Sequence, residues 1–397
     1  MKTAAKRESH GRRFSTNCVH GGEMIDSLTG SVTTPIFQSA TFLYPYAVNA
    51  EGNYTENGAP YFYTRLSNPT VRVVEKKLSL MEGTDDSIAF SSGMAAISTA
   101  ILQVMGESGH ILSVRDLYGG THSLFSEVLP GLGHKVTLFG RADVPSLESM
   151  IRENTKAVYV ETPTNPTLSI YDIEEVFRIA HRHRLVAIID NTFPSPVNMQ
   201  PASLGADLII HSATKYLGGH SDIIAGMVAG SSELISGIRK MQSILGGTMD
   251  PFAAYLLERG MKTLELRVKK QNENALAIAE YLQDLSGISR VLYPGLESHE
   301  GHAIASRIMK GYGGMISFEV KAGGQAAARF IKKLKLAKVA ASLGGVESLV
   351  TIPAVTSHRQ LSASELKGID ISPGLVRFSV GIEDADDLIE DISTALG

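Results

Sequence analysis

The sequence predicts an α/β protein in which a mostly parallel sheet is followed by a smaller α+β domain. Between residues 111 and 211, short apolar runs alternate with segments of helical periodicity. Beyond residue 313, the same kinds of segment follow one another without strict alternation. Parallel strands need crossover helices between them, so regular alternation indicates a parallel sheet with helices on both faces. The irregular second part indicates a separate domain.

The composition excludes several classes of protein. The chain has 397 residues, 43% hydrophobic and 20% charged, as in an ordinary globular protein long enough for two domains. Its net charge of -4 offers no basis for binding nucleic acid. The single cysteine, Cys18, excludes an internal disulfide and indicates a reducing, cytoplasmic compartment. No apolar run approaches the ~18 residues of a membrane span.

The first 66 residues are predicted to form an N-terminal arm. Residues 1–60 are rich in Gly, Thr, Pro, Asn and Tyr and lack sustained periodicity, which indicates an extended conformation. Basic residues gather at the start, from Lys2 to Arg13, without the apolar segment of a secretory signal. A mobile arm and a transit peptide are both compatible with that start.

A large domain over residues 67–260 begins where apolar residues take helical spacing. Val71–Met81 is predicted as a helix because its apolar residues repeat at helical intervals, and Pro69 suits its first turn. Met94–Met105 is predicted as a second, largely buried helix. The predicted strands then follow at Ile111–Val114, Lys135–Phe139, Ala157–Glu161, Val186–Asp190 and Leu208–His211.

A smaller α+β domain is predicted for residues 261–397. Pro251–Leu285 has leucine-rich helical periodicity with interspersed charges, which suits a long helical region linking two domains. Strand-like and helix-like segments follow it without regular alternation, at Gly314–Val320, Gln325–Leu334, Leu349–Ile352, Leu375–Val380 and Asp386–Leu396.

An amine and a carboxylate follow two neighbouring predicted strands. Asp190 ends one strand, and Lys215 comes just after the next, which ends at His211. Because carboxyl ends of parallel strands meet at one edge of a sheet, the two side chains are expected together. Pyridoxal phosphate (PLP) needs such a pair, an amine for the Schiff base and a carboxylate for the protonated ring nitrogen. A loop lysine and a helix-capping aspartate are the alternatives.

Small and hydroxylated residues form a candidate phosphate site. Gly93 and Met94 open the second predicted helix, whose first backbone N–H groups have no partners within the helix. Ser212 and Thr214 lie beside the candidate lysine and add two hydroxyl groups. Together these four residues are predicted to hold phosphate, and ordinary helix capping is the alternative for the Ser-Gly pair.

Further positions suit a ligand with an aromatic ring and negative charges. Tyr118 follows a strand end, where an aromatic ring suits stacking on a cofactor, and a tyrosine packed at a loop corner is the alternative. Tyr63 and Arg65 lie in the arm, and a guanidinium binds phosphate through paired hydrogen bonds. Arg377 lies inside a strand-like run, where a buried charge needs an anionic partner. A substrate carboxylate and a structural salt bridge are both open for it.

Metal binding is not expected from this sequence. His181 with His183, and His299 with His302, have spacings that also occur in metal sites. Neither pair is completed to a full set of ligands, so exposed polar faces are the favoured interpretation of both. The sequence also lacks a Gly-x-x-x-x-Gly-Lys loop and a Gly-x-Ser-x-Gly elbow.

Several of these segments carry motifs of one enzyme family. From about Thr16 to its end, the chain resembles the Cys/Met-metabolism PLP enzymes, which include cystathionine γ-lyase, cystathionine γ-synthase, methionine γ-lyase and the O-acylhomoserine sulfhydrylases. The resemblance is carried by Tyr63-Thr-Arg65-Leu-Ser-Asn-Pro-Thr, Ser91-Ser-Gly-Met-Ala-Ala, Glu161-Thr-Pro-Thr-Asn-Pro, Asp190-Asn-Thr, Ser212-Ala-Thr-Lys-Tyr, Ser342-Leu-Gly-Gly-Val-Glu-Ser-Leu and Arg377-Phe-Ser-Val-Gly-Ile-Glu-Asp.

The resemblance implies a fold and an assembly. It implies the aspartate-aminotransferase-like architecture of fold type I PLP enzymes, in a homotetramer of two catalytic dimers. The arm would then contribute to the neighbouring subunit.

The resemblance also implies roles for individual residues. Lys215 would carry PLP, Asp190 would pair with the ring nitrogen and Tyr118 would stack on the ring, with Lys215 and Tyr118 catalytic. The phosphate would be held by Gly93, Met94, Ser212 and Thr214, together with Tyr63 and Arg65 of the neighbouring subunit. The substrate carboxylate would be held by Arg377 and Ser342.

Different residues resemble different members of the family, so the resemblance does not single out one substrate among the small sulfur amino acids. Gly120 stands where methionine γ-lyases resemble one another in carrying a cysteine, which disfavours that reaction. Glu347 looks like the cystathionine enzymes, and a carboxylate there would attract the distal ammonium of cystathionine, with a solvated loop glutamate as the alternative. Ser123 stands where cystathionine enzymes often have an arginine. The segment 356–362 leans toward the sulfhydrylases.

On balance the sequence favours a cystathionine γ-lyase or γ-synthase. The alternatives are an O-acylhomoserine sulfhydrylase, using O-acetyl- or O-succinylhomoserine with sulfide, and then a methionine γ-lyase. A non-catalytic PLP-fold protein should lack Lys215, Asp190 or Arg377, and all three are present. The local motifs also disfavour an aminotransferase. Elimination and replacement stay open, because both share one intermediate.

Overall fold

Two large β-sheets organise the described part of the chain, and each is packed against its own hydrophobic core. A small two-stranded sheet pairs Tyr46–Val48 with Tyr54–Glu56. The structure is a computed structural model that describes residues 12–43, 46–48, 54–56, 61–357, 359 and 362–397. The basic residues of positions 1–11 and three positions of the segment 356–362 lie outside the described residues. Within the described ranges, no helix is long and apolar enough to cross a membrane.

The strands of the described residues are numbered in chain order. They are β1 (Tyr46–Val48), β2 (Tyr54–Glu56), β3 (Asp86–Phe90), β4 (His110–Val114), β5 (Lys135–Phe139), β6 (Thr155–Glu161), β7 (Val186–Asp190), β8 (Leu208–His211), β9 (Gly226–Gly230), β10 (Ile288–Leu292), β11 (Met315–Val320), β12 (Lys338–Val339), β13 (Leu349–Thr351) and β14 (Leu375–Ser379).

The α-helices are numbered in the same way. They are α1 (Phe14–His20), α2 (Pro69–Glu82), α3 (Gly93–Met105), α4 (Gly119–Ser123), α5 (Leu129–Gly131), α6 (Ile173–Arg182), α7 (Ser195–Asn198), α8 (Ser232–Leu245), α9 (Pro251–Lys262), α10 (Leu264–Gln283), α11 (His302–Ile308), α12 (Gly323–Lys333), α13 (Ala363–Gly368) and α14 (Ala385–Leu396). A π-helical turn covers Leu124–Val128, and 3₁₀ segments cover Arg141–Met150, Pro201–Leu204 and Pro353–Val355.

The larger sheet has seven strands in the order β3-β9-β8-β7-β6-β4-β5. Strands β4 to β8 are parallel, and β9 is antiparallel to both of its neighbours. The central strands are buried almost throughout, which explains their near-continuous apolar sequences. The predicted α/β class with a mostly parallel sheet is confirmed.

The second sheet has five strands in the order β10-β11-β14-β13-β12 and is mostly antiparallel. The helices α10, α12 and α14 pack with it around the second core. This part of the chain has the α+β character that the sequence predicts. The exact boundaries at residues 66 and 260 stay predictions.

Local sequence explains where the helices beside the first sheet begin. The side chain of Asn68 accepts a hydrogen bond from the N–H of Thr70, and Pro69 occupies the first turn of α2. Helix α3 begins in the same way, because the Ser92 hydroxyl accepts from the N–H of Ala95 at 3.1 Å. Capping at Ser92 fixes the point at which the chain leaves β3 and enters α3.

Two predicted elements need correction. An extended conformation is wrong for Phe14–His20, which forms α1. A helix this short needs tertiary support, and the buried ammonium of Lys77 supplies it by donating to the carbonyls of Cys18 and Val19 at 2.9 and 3.1 Å. The predicted helical region 251–285 is two helices, because the chain breaks at Thr263 between α9 and α10.

Candidate active site

The carboxyl ends of several strands meet at one edge of the seven-stranded sheet. Strands β4, β6, β7 and β8 are parallel, and β3 runs in their direction because β9 is antiparallel to both β3 and β8. Ligands of open α/β sheets bind at this edge. It collects Gly93 after β3, Tyr118 after β4, Glu161 at the end of β6, Asp190 at the end of β7 and Lys215 after β8.

Lys215 lies in the turn that follows β8, in contact with the second half of the chain. Its Nζ donates a hydrogen bond to the Oγ of Ser342 at 2.8 Å. Burial, and then the positive charge of Arg377, lower the pKa of Lys215 from 10.5 to about 8. A substantial fraction of the amine is therefore neutral near pH 8, and the neutral form is the nucleophile that an aldehyde requires.

The turn that carries Lys215 is held by a buried arginine of α10. The guanidinium of Arg267 donates to the carbonyls of Tyr216 and Gly260 at 2.9 and 2.8 Å, and to that of Leu217 at 3.5 Å. Burial lowers the pKa of Arg267 to about 10. One side chain thus ties α9, α10 and the Lys215 turn together.

Asp190 is a buried carboxylate at the end of β7. It accepts hydrogen bonds from the N–H of Thr192 at 3.0 Å and from the Tyr159 hydroxyl at 3.5 Å. Burial raises the pKa of Asp190, whereas the Thr192 donors and the charge of His211 lower it. Among the described residues no lysine or arginine forms a salt bridge with it. A carboxylate in these surroundings fits a protonated ring nitrogen.

A second buried pair supports the segments next to Asp190. The Nε2 of His211 lies 2.6 Å from the Oε1 of Glu82, which also accepts from the Asn191 side chain at 3.0 Å. Both His211 and Glu82 are almost fully buried. Because Asn191 follows Asp190 and His211 precedes Ser212, this pair fixes two segments that carry candidate site residues.

The loop between β3 and α3 fits a phosphate group. A Cβ on Gly93 would lie 2.9 Å from the Ser212 Oγ, so glycine is needed for the two loops to approach. The N–H groups of Gly93 and Met94 have no acceptor among the described residues. They lie at the positive end of a 13-residue helix, which attracts an anion. The Thr214 hydroxyl is engaged with the backbone of Ala225.

Arg377 is a buried guanidinium without a carboxylate partner in the part of the chain that the structure describes. It donates to the Asn165 side chain and to the Ser342 carbonyl, each at 3.0 Å, and its Nε has no partner there. Burial lowers the pKa of Arg377 to about 10. The structural salt bridge that the sequence left open is therefore not formed, and the donor set fits a bound carboxylate.

Tyr118 lies at the beginning of α4 with its side chain partly exposed, at 46%. Its backbone N–H donates to the Oε2 of Glu161 at 3.0 Å, and its carbonyl accepts from the N–H of His122. The main chain of Tyr118 is thus fixed from both sides, while the ring remains available to a ligand.

The loop that carries Ser342 also brings Glu347 to the lysine turn. A Cβ on Gly344 would lie 2.9 Å from the backbone N of Tyr216, so the two loops are in close contact. The carboxylate of Glu347 accepts a hydrogen bond from the Ser221 hydroxyl. Glu347 therefore lies near the end of the Lys215 turn.

Tyr63 and Arg65 are not brought to this site by the single chain. The guanidinium of Arg65 lies 5.4 Å from the centre of the Tyr63 ring and donates to the carbonyl of Ser243 in α8. In the described part of the chain, no hydrogen bond joins either residue to Gly93, Ser212 or Lys215.

The histidine pairs are placed away from any group of metal ligands. His181 and His183 pair with Asp207 and Glu148 at 3.0 and 2.6 Å on the surface. His302 bonds to the Pro294 carbonyl. His299 is buried, and its Nδ1 accepts from the N–H of Gly301 at 3.1 Å, so the expected exposed polar face is wrong for this pair. In the described residues, no three His, Cys, Asp or Glu side chains are grouped as metal ligands would be.

Sequence reasoning assigned no role to several residues that contact the predicted ones. Glu161 bonds to Tyr118, Asn165 to Arg377 and Tyr159 to Asp190. Glu161 and Asn165 lie in a motif that was singled out without a function. Only Glu161 had a signal in the sequence, because it ends a predicted strand next to the one that ends at Asp190.

The chain is similar to known proteins over nearly its whole length. The sequence model of the family described as Cys/Met metabolism PLP-dependent enzyme matches residues 15–397. A cystathionine beta-lyase of Lactococcus lactis is 43% identical over 384 residues, 96% of this chain and 98% of that protein. The chloroplastic cystathionine gamma-synthase 1 of Arabidopsis thaliana is 40% identical over 381 residues, 95% of this chain and 68% of that protein.

A solved structure is similar over nearly the whole chain. The cystathionine gamma-lyase of Lactobacillus plantarum, complexed with L-serine, has a TM-score of 0.91 and 37% sequence identity. The alignment covers 97% of this chain and 98% of that one. Relatives with three different reaction names thus share the fold and most of the length.

Proposed function

This chain belongs to the Cys/Met metabolism PLP-dependent enzymes, and from that premise we propose that it acts on the Cγ–S bond of cystathionine, as a γ-lyase or γ-synthase. The observation that carries the substrate is Glu347, a carboxylate in the same loop as Ser342, whose hydroxyl bonds to Lys215. Cystathionine has an ammonium group at its distal end, and a carboxylate there attracts it.

The residues proposed to hold PLP are those at the sheet edge. Lys215 would form the covalent link, Asp190 would pair with the ring nitrogen, and the Tyr118 ring would stack on the cofactor. The phosphate would lie against the helix that begins at Gly93, with Met94, Ser212 and Thr214. Bound PLP supplies an electron sink for negative charge at the substrate Cα.

Arg377 and Ser342 are proposed to place the substrate for proton transfer. Because Arg377 bonds to the Ser342 carbonyl and Lys215 to the Ser342 hydroxyl, a carboxylate on Arg377 puts the Cα near the Lys215 amine. Lys215 would take the Cα proton and then move a Cβ proton, as a base with a pKa near the working pH does well. Tyr118 is proposed to handle the proton of the leaving sulfur.

Cleavage of the other C–S bond is the second candidate. It is favoured by the 43% identity with a protein named cystathionine beta-lyase. A γ-lyase and a β-lyase both use cystathionine, and they differ in which carbon loses sulfur.

Product analysis with purified enzyme, PLP and cystathionine separates these candidates. γ-Elimination yields cysteine, 2-oxobutanoate and ammonia, whereas β-elimination yields homocysteine, pyruvate and ammonia. If neither oxo acid forms, we expect cystathionine from an O-acylhomoserine and cysteine, as a γ-synthase makes it. Formation of homocysteine from an O-acylhomoserine and sulfide, with no cystathionine turnover in either direction, contradicts the proposal and identifies a sulfhydrylase.

We propose a homotetramer of two catalytic dimers in the cytoplasm. Support for the assembly comes from Tyr63 and Arg65, which the single chain leaves away from its own site. Support for the compartment comes from Cys18, the only cysteine, which is buried and unpaired.

A further inference from the structure

Glu161 is a buried carboxyl group without a role in the proposed reaction. It ends β6 and stands opposite Asp190 in the register of β6 and β7. Paired residues of parallel neighbouring strands project to the same face, about 5 Å apart. The two carboxyl groups therefore lie side by side, and only 5% of Glu161 and 7% of Asp190 is exposed.

The surroundings of Glu161 contain no cation to balance a charge. Among the described residues, no lysine, arginine or histidine forms a salt bridge with it. Burial, and then the negative charges of Asp190 and Asp116, raise the pKa of Glu161 well above its ordinary value. Glu161 accepts one backbone N–H, whereas Asp190 accepts from both Thr192 and Tyr159 and is further favoured as an anion by the charge of His211. One negative charge on the pair is the arrangement of lowest energy, with the proton on Glu161.

The contacts of Glu161 lead to the loop beside the cofactor position. Its Oε2 accepts a hydrogen bond from the backbone N–H of Tyr118 at 3.0 Å. The only other backbone hydrogen bond of Tyr118 among the described residues is made by its carbonyl, inside the turn that begins α4. The position of Tyr118 relative to the sheet therefore depends on the Glu161 carboxyl.

We propose that Glu161 is a positioning residue that, as an un-ionised carboxylic acid, fixes the Tyr118 ring against PLP through a main-chain hydrogen bond. This inference rests on the proposed role of Tyr118 as the stacking residue. Its neutrality leaves Asp190 as the sole negative charge facing the ring nitrogen. The function of Glu161 is thus to accept one hydrogen bond at a fixed position. A second negative charge beside that of Asp190 has no function.

Four variants test this in the full-length protein: Glu161→Gln, Glu161→Asp, Glu161→Ala and Tyr118→Ala, with the double variant Glu161→Ala/Tyr118→Ala. Glutamine keeps the acceptor and is neutral, whereas aspartate keeps the carboxyl group but withdraws the acceptor by one methylene. The readouts are the dissociation constant of PLP from the apoprotein and the circular dichroism of the bound PLP band, which reports ring placement. Neither requires a substrate.

We expect Glu161→Asp and Glu161→Ala to weaken PLP binding about tenfold and to reduce the dichroism of the PLP band. Glu161→Gln should weaken binding less than about threefold and keep the dichroism. In the Tyr118→Ala background, Glu161→Ala should raise the dissociation constant of PLP by less than about threefold, because the two residues act through one contact.

Two results overturn the proposal. If Glu161→Gln is as damaging as Glu161→Ala, the charge of Glu161 matters and its neutrality is wrong. If Glu161→Ala has its full effect without the Tyr118 ring, Glu161 does not act through Tyr118. Should the alanine variant fail to fold, the comparison of Gln with Asp decides the matter. A Tyr118→Ala variant with unchanged PLP affinity and dichroism contradicts the stacking role itself, and so is distinguishable from a failure of Glu161.

Discussion

The Lys215 amine is placed between a hydrogen-bond acceptor and a positive charge, and both act on its proton. Because burial and Arg377 lower its pKa to about 8, the amine becomes neutral as the pH rises through that value. Only the neutral amine adds to the PLP aldehyde. We predict that the rate of PLP uptake by the apoprotein rises with pH to a midpoint near 8. Stopped-flow absorbance at a series of pH values measures it.

An Arg377→Met variant is the matched test of this electrostatic origin. Removing the guanidinium removes the second cause of the lowered pKa, so the midpoint should move to higher pH. Exposed Arg178, which pairs with Glu175 on the surface, is the control, and Arg178→Met should leave the midpoint in place. A midpoint that stays near its wild-type value in Arg377→Met contradicts the assignment.

The Glu347 carboxylate is expected to act on one end of the substrate only. Glu347→Gln keeps the size and the acceptor for Ser221 but removes the negative charge. We predict that the KM for cystathionine rises about fivefold, which corresponds to roughly 1 kcal/mol. The KM for an analogue without the distal ammonium should hardly change. Equal increases for both compounds would show that Glu347 supports the loop and does not contact the ammonium.

The residues of the site differ in how far sequence could identify them. Lys215 and Asp190 were predictable because each follows an apolar run, and strand ends meet at one edge in a parallel sheet. Asn165 and Tyr159 were not, because their roles depend on hydrogen bonds to Arg377 and Asp190 that no local pattern encodes. Thr214 is predicted to bind phosphate through its hydroxyl. In the structure the same hydroxyl also forms hydrogen bonds with the backbone of Ala225.

At the scale of elements, the turn after β8 is held in place by Arg267 and leaves no room at Gly219. A Cβ on Gly219 would lie 1.9 Å from the Arg267 Nη1, and its φ of +73° is unfavourable for other residues. We predict that Gly219→Ala lowers the free energy of unfolding by about 3 kcal/mol, from backbone strain and the displaced guanidinium together. Urea denaturation of the apoprotein measures the change.

Gly246 is the matched control for that substitution. It ends α8 with a φ of +83°, and a Cβ there would meet nothing within 4 Å. Gly246→Ala should therefore lower the free energy of unfolding by about 1 kcal/mol, from backbone strain alone. Equal losses for the two variants would show that the contact with Arg267 adds nothing, and that the turn can move aside.

Strand β9 is one of the elements that the sequence did not predict. It contains two glycines, which are depleted in strands, so its short sequence offers no strand signal. The structure requires both, because a Cβ on Gly226 would lie 2.1 Å from the Ser92 carbonyl oxygen, and a Cβ on Gly230 would lie 2.6 Å from that of Asp207. Helices α2 and α3 were predicted nearly to the residue because strong apolar periodicity and capping residues coincide there.

At the scale of the whole molecule, the arm has the surface of a segment that packs against another chain. Large apolar side chains are exposed along it, at 84% for Ile25, 91% for Leu28, 93% for Val32 and 87% for Leu43. Several large apolar side chains exposed this fully along one segment are unfavourable in water and indicate an interaction site. Together with the position of Arg65 beside α8 of its own chain, this supports sites that are completed by a neighbouring subunit.

Mixing two inactive variants tests whether sites are shared between chains. Suppose that arms act across the interface. A dimer of one Lys215→Ala chain and one Arg65→Ala chain then has one complete site, which combines the intact Lys215 of the second chain with the intact Arg65 of the first. Random mixing of refolded or co-expressed chains should therefore restore about a quarter of wild-type activity. If each arm serves its own chain, every site lacks one residue, and mixing restores nothing beyond the residual activity of the two variants. Sedimentation of the mixture must show exchange of subunits, because without hybrid dimers the two arrangements predict the same result.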